Sequence, residues 1–167
     1  MGCGHSSAMS WFVRNVRDMP WSKRGPGGFV TEFVGDEQDV GVNLFVLEPG
    51  DRMAMYHWEA DQEGFLVLSG EALVIVDDEE HPLRQWDYFH CPALVPHTIG
   101  GAGSGPTAIL ALGAREHQRG PDWGAYPYSD VAMKHDASAK EETSDPDVAY
   151  ARFPDREPAE FREEWLP

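Results

Sequence analysis

Cysteine is scarce in this sequence, with only Cys3 and Cys91 among 167 residues. Cys3 lies in a start rich in glycine and serine, whereas Cys91 lies in an apolar run. The chain has no Cys-x-x-Cys pair and no spacing typical of a zinc knuckle. We therefore expect no disulfide framework, which agrees with a reducing compartment such as the cytoplasm.

Basic residues are also few, since 13 lysines and arginines face 29 aspartates and glutamates, for a net charge of −16. A surface this acidic repels the phosphate backbone of nucleic acids and anionic membranes. The longest apolar stretch falls well short of the roughly 18–20 residues of a membrane span. The first residues also lack the basic and apolar regions of a signal peptide. We expect a cytoplasmic protein that binds neither nucleic acid nor membrane.

Strand signals dominate the middle of the chain, from residue 29 to residue 115. Runs rich in β-branched and aromatic residues alternate with turn sequences such as Pro-Gly-Asp, Ser-Gly and a glycine-rich loop. The predicted strands are 29–34, 40–47, 53–58, 65–69, 71–76, 86–91, 95–99 and 107–113. No helical period separates them, so the pattern predicts an all-β sandwich or barrel.

Two segments flank this predicted barrel. Residues 1–28 form an N-terminal arm whose aromatic side chains should pack on the barrel. Residues 116–167 form an acidic C-terminal extension that we predict to be partly helical. Ser129 is placed to cap a helix that runs to His135, and Asp145 with Pro146 is placed to begin another. A disordered acidic tail is the alternative, although six aromatic residues argue against it.

A cluster of ligand-type residues lies in the segment 53–63. If 53–59 is a strand, Met53, Met55, His57 and Glu59 share one face, because side chains alternate along a strand. The next strand returns as a hairpin and brings Glu63 within reach. Two carboxylates this close repel each other, so one must be protonated or neutralised. A divalent cation held by carboxylate and imidazole groups resolves that conflict.

These residues resemble the two sequence motifs of the cupin superfamily. The first motif is a glycine, His-x-His, three or four residues, a glutamate, six residues and a glycine, which His57, Glu63 and Gly70 match. The second motif is a glycine, five residues, Pro-x-Gly, two residues and a histidine, of which Pro92 and His97 match the proline and the histidine. The resemblance of these motifs covers roughly residues 40–113. The whole sequence also resembles small, single-domain proteins of the cupin-2 type like those of actinobacteria.

The resemblance implies a double-stranded β-helix, the jelly-roll barrel of cupins. It also implies a divalent metal ion, of iron, manganese, nickel or zinc, held by His57, Glu63 and His97. Glu59 replaces the second histidine of the first motif, and it is predicted to be either a fourth ligand or a neighbouring group that acts as a general base. Trp86 and Leu94 stand where the second motif has glycine. A hydrogen-bonded cluster without metal is the alternative reading of the same residues.

The predicted function is that of a metal-dependent oxygenase, isomerase or lyase that acts on a small organic molecule. A small-molecule binding or sensing protein without turnover is the alternative. The predicted substrate pocket is lined by Met53, Met55, Phe65 and Val67. Arg52 alternates out of phase with His57, and Arg84 lies at a strand end, so we expect little positive charge inside and no phosphorylated sugar as substrate. A homodimer is expected, with Tyr56, Trp58 and the aromatic residues of the arm as contacts.

Overall fold

The structure, a computed structural model, describes residues 11–118 and 120–166, so Cys3 and the first part of the arm lie outside it. The described residues form twelve strands in antiparallel sheets, two α-helices and two 3₁₀ turns. The strands are β1 Trp21–Lys23, β2 Phe29–Glu32, β3 Val40–Leu47, β4 Trp58–Glu59, β5 Glu63–Ser69, β6 Glu71–Val76, β7 Glu79–Arg84, β8 Tyr88–Cys91, β9 His97–Gly101, β10 Thr107–Ala114, β11 Gly124–Ala125 and β12 Glu157–Ala159. The helices are α1 Asp130–Lys134 and α2 Pro146–Tyr150, and the 3₁₀ turns are Val16–Asp18 and Glu163–Trp165.

Two sheets face each other across the main core. The larger sheet has the order β12-β1-β2-β3-β10-β5-β8, and the smaller has the order β7-β6-β9. Isolated bridges from Arg52 to Gly100 and from His57 to His97 add the segment before β4 to the free edge of β9. The all-β jelly-roll fold predicted from the sequence is therefore confirmed, and its interior is filled by apolar side chains from both sheets.

Strands β3, β10 and β5 follow the alternation that their sequences predict. Their inward residues pack in the barrel core, and their outward residues pack beneath the chain ends. The register places Gly41 of β3 opposite Gly113 of β10, and Gly113 opposite Glu63 of β5. One row across three strands thus consists of two glycines and a glutamate, which leaves open space beside the carboxylate.

The C-terminal extension is ordered across the described residues, so the alternative of a disordered tail is wrong. Ser129 caps α1 by accepting a hydrogen bond from the backbone of Ala132, and Asp145 caps α2 with Pro146 in its first turn, as predicted. Helix α1 covers Tyr56, which is 2% exposed. Neither helix is long enough or apolar enough to cross a bilayer, and the same holds for every helix in the described residues.

The chain ends meet on the outer face of the larger sheet. Trp21 of β1 packs against Trp165 with ring centroids 4.9 Å apart, and Trp165 also contacts Phe29 at 4.4 Å. Both tryptophans are almost completely buried. Since Tyr56 and Trp21 are used within one chain, they do not supply the dimer contacts expected of them. Dimerisation itself stays a prediction.

Two segments differ from the sequence-based prediction. Residues 53–56 form bends rather than a strand, and only Trp58–Glu59 pairs with another strand, β11. Residues 79–84, which lie between two predicted strands, themselves form a strand, β7, whose side chains are almost all exposed and which pairs with β6. Its charges and its proline conceal the strand in the sequence, although both are typical of a strand at a sheet edge.

Candidate metal centre

His57 and His97 lie directly opposite each other between two antiparallel segments. The backbone N–H of His57 donates to the carbonyl of His97 at 3.1 Å, and the reverse hydrogen bond is 2.8 Å long. This reciprocal pair places the two imidazole rings side by side, with centroids 5.0 Å apart. The pairing therefore fixes the relative position of two nitrogen donors that are forty residues apart in sequence.

Each imidazole is held by its Nδ1 atom, which directs Nε2 into the barrel. His57 Nδ1 lies 2.8 Å from the carbonyl oxygen of Met55, and His97 Nδ1 lies 3.2 Å from that of Val95. A carbonyl oxygen only accepts, so Nδ1 carries the proton in both rings. In its neutral form, each ring consequently presents the lone pair of Nε2 to the cavity, as a metal ligand must.

Glu63 opens β5 beside these two rings. Its Oε2 atom lies 3.2 Å from His97 Nε2, yet it is buried and receives no hydrogen bond from any described residue. Donor atoms of His57, Glu63 and His97 all lie within 4.8 Å of one another. With both rings neutral, this buried carboxylate oxygen has no hydrogen-bond donor, which is costly. Either a proton on His97 or a metal ion at the centre of the group would remove that cost.

The ionisation of this cluster is set by its neighbours. Burial opposes the charge on His97, but Cys91 and Glu63 outweigh it and raise the pKa of this imidazole. Burial also opposes the charge on Glu63, but His97 and His57 outweigh it and lower the pKa of this carboxyl. Without metal, the cluster is therefore stabilised as an ion pair in which His97 holds a proton that a metal ion must displace.

The expected repulsion between two carboxylates is not what the structure shows. Glu63 faces His97, and Glu59 Oε1 lies 3.4 Å from His57 Nε2, so each carboxylate is next to an imidazole. Glu59 is also absent from the three-residue group of potential ligands found in the described chain. It lies beside the group, on the side where the cavity opens.

These residues fit a divalent metal ion. Metal–nitrogen bonds are about 2.1 Å long, so two donors on one ion are at most about 4.2 Å apart. The three donor atoms are already close to that limit. Two imidazole nitrogens and a carboxylate oxygen are a common ligand set for first-row metals, and three protein ligands leave coordination positions open. His57, Glu63 and His97 could therefore hold a metal ion, while Glu59 could add a fourth oxygen only by moving toward them.

The ligand group opens into a barrel cavity of about 160 Å³. Of the predicted pocket residues, Met53 and Phe65 line this cavity, whereas Met55 and Val67 do not. Met55 points away because the bends at 53–56 interrupt strand alternation, and it packs on Tyr126 in the extension. Val67 does face inward, but it is completely buried in the barrel core.

Positive charge inside the barrel is the feature that the sequence analysis missed. Arg24 and Arg115 both line the cavity, so the expectation of little cationic character is wrong. Arg52 and Arg84 were the arginines considered, and both do lie elsewhere. Arg115 follows Gly113 by two residues at the end of β10, so strand alternation places it on the same inward face. The sequence alone could therefore have predicted its position. Arg24 precedes β2 and reaches the cavity only through the tertiary fold.

An outer chamber of about 760 Å³ adjoins the cavity. The two spaces share five wall residues, namely Arg24, Ala54, His57, Glu59 and Gln118. The far wall comes from the C-terminal extension and includes Trp123, Tyr126 and Tyr150. Burial raises the pKa of Tyr126, as does the adjacent Tyr150. A molecule that reaches the ligand group from this chamber thus passes neutral aromatic side chains and Arg24.

Two further features hold the cavity walls in place. Asp61 accepts hydrogen bonds of 2.8 Å from both the backbone N–H and Nδ1 of His117, and these outweigh burial and lower the pKa of Asp61. Trp86 and Leu94 adopt left-handed backbone conformations, with φ of 74° and 69°. Glycine adopts this conformation most readily, and the second motif has glycine at both positions.

Comparisons with known proteins support this interpretation. Residues 43–113 match the family model of the Cupin domain. No curated protein sequence matches the chain. Among solved structures, a sugar phosphate isomerase of Silicibacter pomeroyi is 25% identical, with a TM-score of 0.52 over 56% of this chain and 70% of that one. A candidate sugar phosphate isomerase of Acidithiobacillus ferrooxidans is also 25% identical, with a TM-score of 0.50.

The match to the Acidithiobacillus protein covers 55% of this chain but only 61% of that protein, less than two thirds of its length. A cupin-like protein of Thermotoga maritima, 18% identical, matches 72% of this chain and 90% of its own length with a TM-score of 0.56, which shows the shared fold. The ligand group, the jelly-roll topology and the family match agree. The chain therefore carries a cupin domain of the cupin-2 type, which spans residues 43–113.

Proposed function

We propose that this chain is a metal-dependent enzyme that acts on a small organic molecule. The observation that carries the proposal is the group of donor atoms from His57, Glu63 and His97, which lie within 4.8 Å of one another at the wall of an accessible cavity. Iron, manganese, nickel and zinc all accept this ligand set. His57, Glu63 and His97 would hold the ion, which would polarise a carbonyl or hydroxyl oxygen of the substrate.

Of the three reaction classes, isomerisation is the one we favour. Two of the similar structures are a sugar phosphate isomerase and a candidate for one, and both are 25% identical to this chain. Moving a hydrogen between adjacent carbons requires a polarised oxygen and a nearby base. Glu59 lines both the cavity and the outer chamber, so its carboxylate can meet a substrate carbon without leaving its place beside His57.

The barrel residues assist by orientation and by exclusion of water. The Met55 and Val95 carbonyls fix the imidazole rings, so no reorientation of the rings is needed when substrate arrives. Phe65 stacks on Phe89 at 5.8 Å and lies 5.5 Å from His97, which shields one side of the ligand group. A water-poor site strengthens every charge interaction within it.

Deuterium exchange tests the proposal without knowledge of the product. Protein purified without chelators is incubated in D₂O with a panel of hydroxy-aldehydes, ketoses and their phosphates, and NMR follows deuterium at the carbon next to the carbonyl. We expect metal-dependent exchange that falls about 100-fold or more in Glu59→Gln. The control is Glu79→Gln, on exposed β7, which should exchange like the native protein.

Metal content of the same samples separates the two roles of Glu59. A variant that keeps its metal but loses exchange identifies Glu59 as the base, whereas one that loses both identifies it as a ligand. The proposal would be overturned if metal-loaded protein catalysed no exchange and consumed no O₂ with the same panel. The protein would then be interpreted as one that binds small molecules without turnover.

A further inference from the structure

The cavity contains a slot above Gly113, between the side chains of Glu63 and Arg115. Gly41, Gly113 and Glu63 lie in register on three neighbouring strands and share the inward face. A Cβ atom added at Gly113 would meet only the Glu63 side chain, at an ordinary distance of 3.8 Å, so the space above Gly113 is open. Since strands lie about 4.8 Å apart, the slot is roughly 10 Å wide from Glu63 to Gly41.

Arg115 forms the wall of the slot opposite Glu63. A Cβ atom added at Gly41 would approach its Nε atom to 2.8 Å, so the guanidinium lies directly over that glycine. The backbone N–H of Arg115 donates to Asp39, and its Nη1 donates to the carbonyl of Gly35 at 2.7 Å. The Asp61–His117 pair ties down the residues that follow. The position of this arginine is therefore fixed by the fold.

The charge of Arg115 is poorly compensated, although its side chain is only 7% exposed. Its carboxylate neighbours are Asp36, which is 3.8 Å away and 86% exposed, and Glu37, which is also exposed. Of the guanidinium's five N–H donors, only Nη1 makes a hydrogen bond to a described residue. A buried arginine in this state is unusual, because burial of a charge without full pairing is costly.

Asn43 supplies a second unsatisfied group on the same wall. It follows Gly41 on the inward face of β3, and its Oδ1 atom is buried without a hydrogen-bond partner among the described residues. A half-turn of the amide would place its N–H donors at the same position. An asparagine beside an arginine, each with unused polar atoms, points to a ligand that carries both an oxyanion and hydroxyl groups.

The overall charge of the cavity agrees with this chemistry. Its ionisable lining consists of Arg24, Arg115, Glu59, Glu63 and the two imidazoles. With a divalent ion bound and both carboxylates ionised, the cavity carries a net charge of about two positive. The positive charge of the cavity contrasts with the formal net charge of the whole chain, which is −16. The site therefore attracts an anion that the rest of the protein repels.

We propose that the slot between Arg115 and the metal ligands binds the oxyanion of a small substrate, a carboxylate or a phosphate monoester, with Arg115 and Asn43 as donors and Arg24 at the entrance. This inference rests on the proposed function, because it assigns the substrate class of the same cavity. Arg24 and Arg115 both lie outside the residues that match the Cupin domain. Both arginines of the anion site thus come from this chain's flanking segments, whereas Asn43 lies within the match.

Calorimetric titration of metal-loaded protein with malonate and with inorganic phosphate tests the inference. We expect Arg115→Gln to weaken binding about tenfold or more, since a charge-assisted hydrogen bond is lost. Gly113→Val, which fills the slot and leaves every charge in place, should weaken it as strongly. Arg84→Gln is the matched control, because Arg84 is exposed at the end of β7. The tighter probe identifies carboxylate or phosphate as the preferred group.

Thermal melts and metal analysis accompany each titration. If Arg115→Gln does not fold, the inference is tested with Gly113→Val and Arg115→Lys instead. Arg115→Lys should bind the anion more weakly than the native protein but should retain part of the affinity, because lysine keeps the charge and loses the planar guanidinium group. Anion binding that is equal in native protein, Arg115→Gln and Gly113→Val would overturn the inference, as would no anion binding to metal-loaded protein. Arginine-dependent anion binding by protein that takes up no metal would sustain this inference while removing the proposed function.

Discussion

The family-matched segment and the flanking segments contribute different parts of one site. All three potential metal ligands lie within residues 43–113, whereas both cavity arginines and the aromatic wall of the outer chamber lie outside it. The segment that resembles other cupins therefore carries the potential metal ligands, and the segments around it add the arginines and the aromatic wall. A match to the family segment alone therefore indicates the potential metal ligands and gives no information about the residues that the flanking segments add.

The flanking segments should also contribute much of the free energy of unfolding, and substitution of Trp165 should have the largest effect. It is 1% exposed and packs on Trp21 and Phe29 across the two chain ends. Trp165→Ala should lower the free energy of unfolding by about 3–5 kcal/mol, as for other large aromatic residues removed from a core. Trp86→Ala is the control, since Trp86 is 66% exposed and should change stability little. Urea unfolding of both variants measures the difference, and equal midpoints would mean that the flanks are dispensable to the fold.

Metal should stabilise the barrel segment in a manner that depends on pH. Metal at a hundredfold excess over its dissociation constant stabilises by about 2.7 kcal/mol, which corresponds to about 5–10 °C in melting temperature. Chelation at pH 7.5 should lower the melting temperature by that amount. The difference between metal-loaded and metal-free protein should shrink by pH 5, and melts with and without chelator at both pH values measure it.

Two pKa shifts in the metal-free state explain why the difference in melting temperature should shrink at lower pH. The raised pKa of His97 stabilises the metal-free fold fully below the unfolded value of 6.5, and that stabilisation is lost as pH rises through the folded value. The lowered pKa of Glu63 stabilises it above the unfolded value of 4.5 and is lost as pH falls. Lowering the pH from 7.5 to 5 therefore stabilises the metal-free protein while protons compete for the imidazole ligands. Identical melts at pH 7.5, on protein shown to contain metal, would contradict this.

The smallest expected effect concerns the second motif, where this chain departs from the family pattern. Trp86 has φ of 74°, a conformation that costs a residue with a side chain about 1–2 kcal/mol relative to glycine. Trp86→Gly should raise stability by about 1 kcal/mol, because the greater chain entropy of unfolded glycine offsets part of the gain. The matched variant Tyr88→Gly, on exposed β8 with an ordinary backbone, should be destabilising. Chemical denaturation distinguishes the two, and a loss of stability in Trp86→Gly would show that its indole has a structural role.

The sequence predicted those parts of the molecule that depend on short segments. Strand β3 and helix α1 begin and end within a residue of their predicted positions, and helix α2 begins at its predicted residue, because alternation and N-capping residues are local signals. His57, Glu63 and His97 could be singled out because each lies in a short motif, and the structure brings them together. Their role as metal ligands stays a prediction.

The failures have physical causes that differ from one residue to the next. Met55 was assigned to the pocket because alternation was extended across residues that in fact form bends. Arg115 and Asn43 could have been found, since both have the inward parity of their strands. Arg24 could not, because its place at the cavity depends on how β1 and β2 pack against a strand that begins sixteen residues later. Sequence reasoning thus reached the ligands and missed the charges opposite them.

Metal affinity of His97→Ala tests the central claim most directly. His90→Ala is its matched control, because His90 lies on neighbouring β8 and is exposed. Native protein and His90→Ala should each bind one equivalent of a first-row divalent metal, measured by titration and elemental analysis. His97→Ala should bind it more than about 100-fold more weakly, since it loses a ligand rather than a supporting hydrogen bond. Full metal occupancy in a folded His97→Ala variant, equal to that of His90→Ala, would contradict the account.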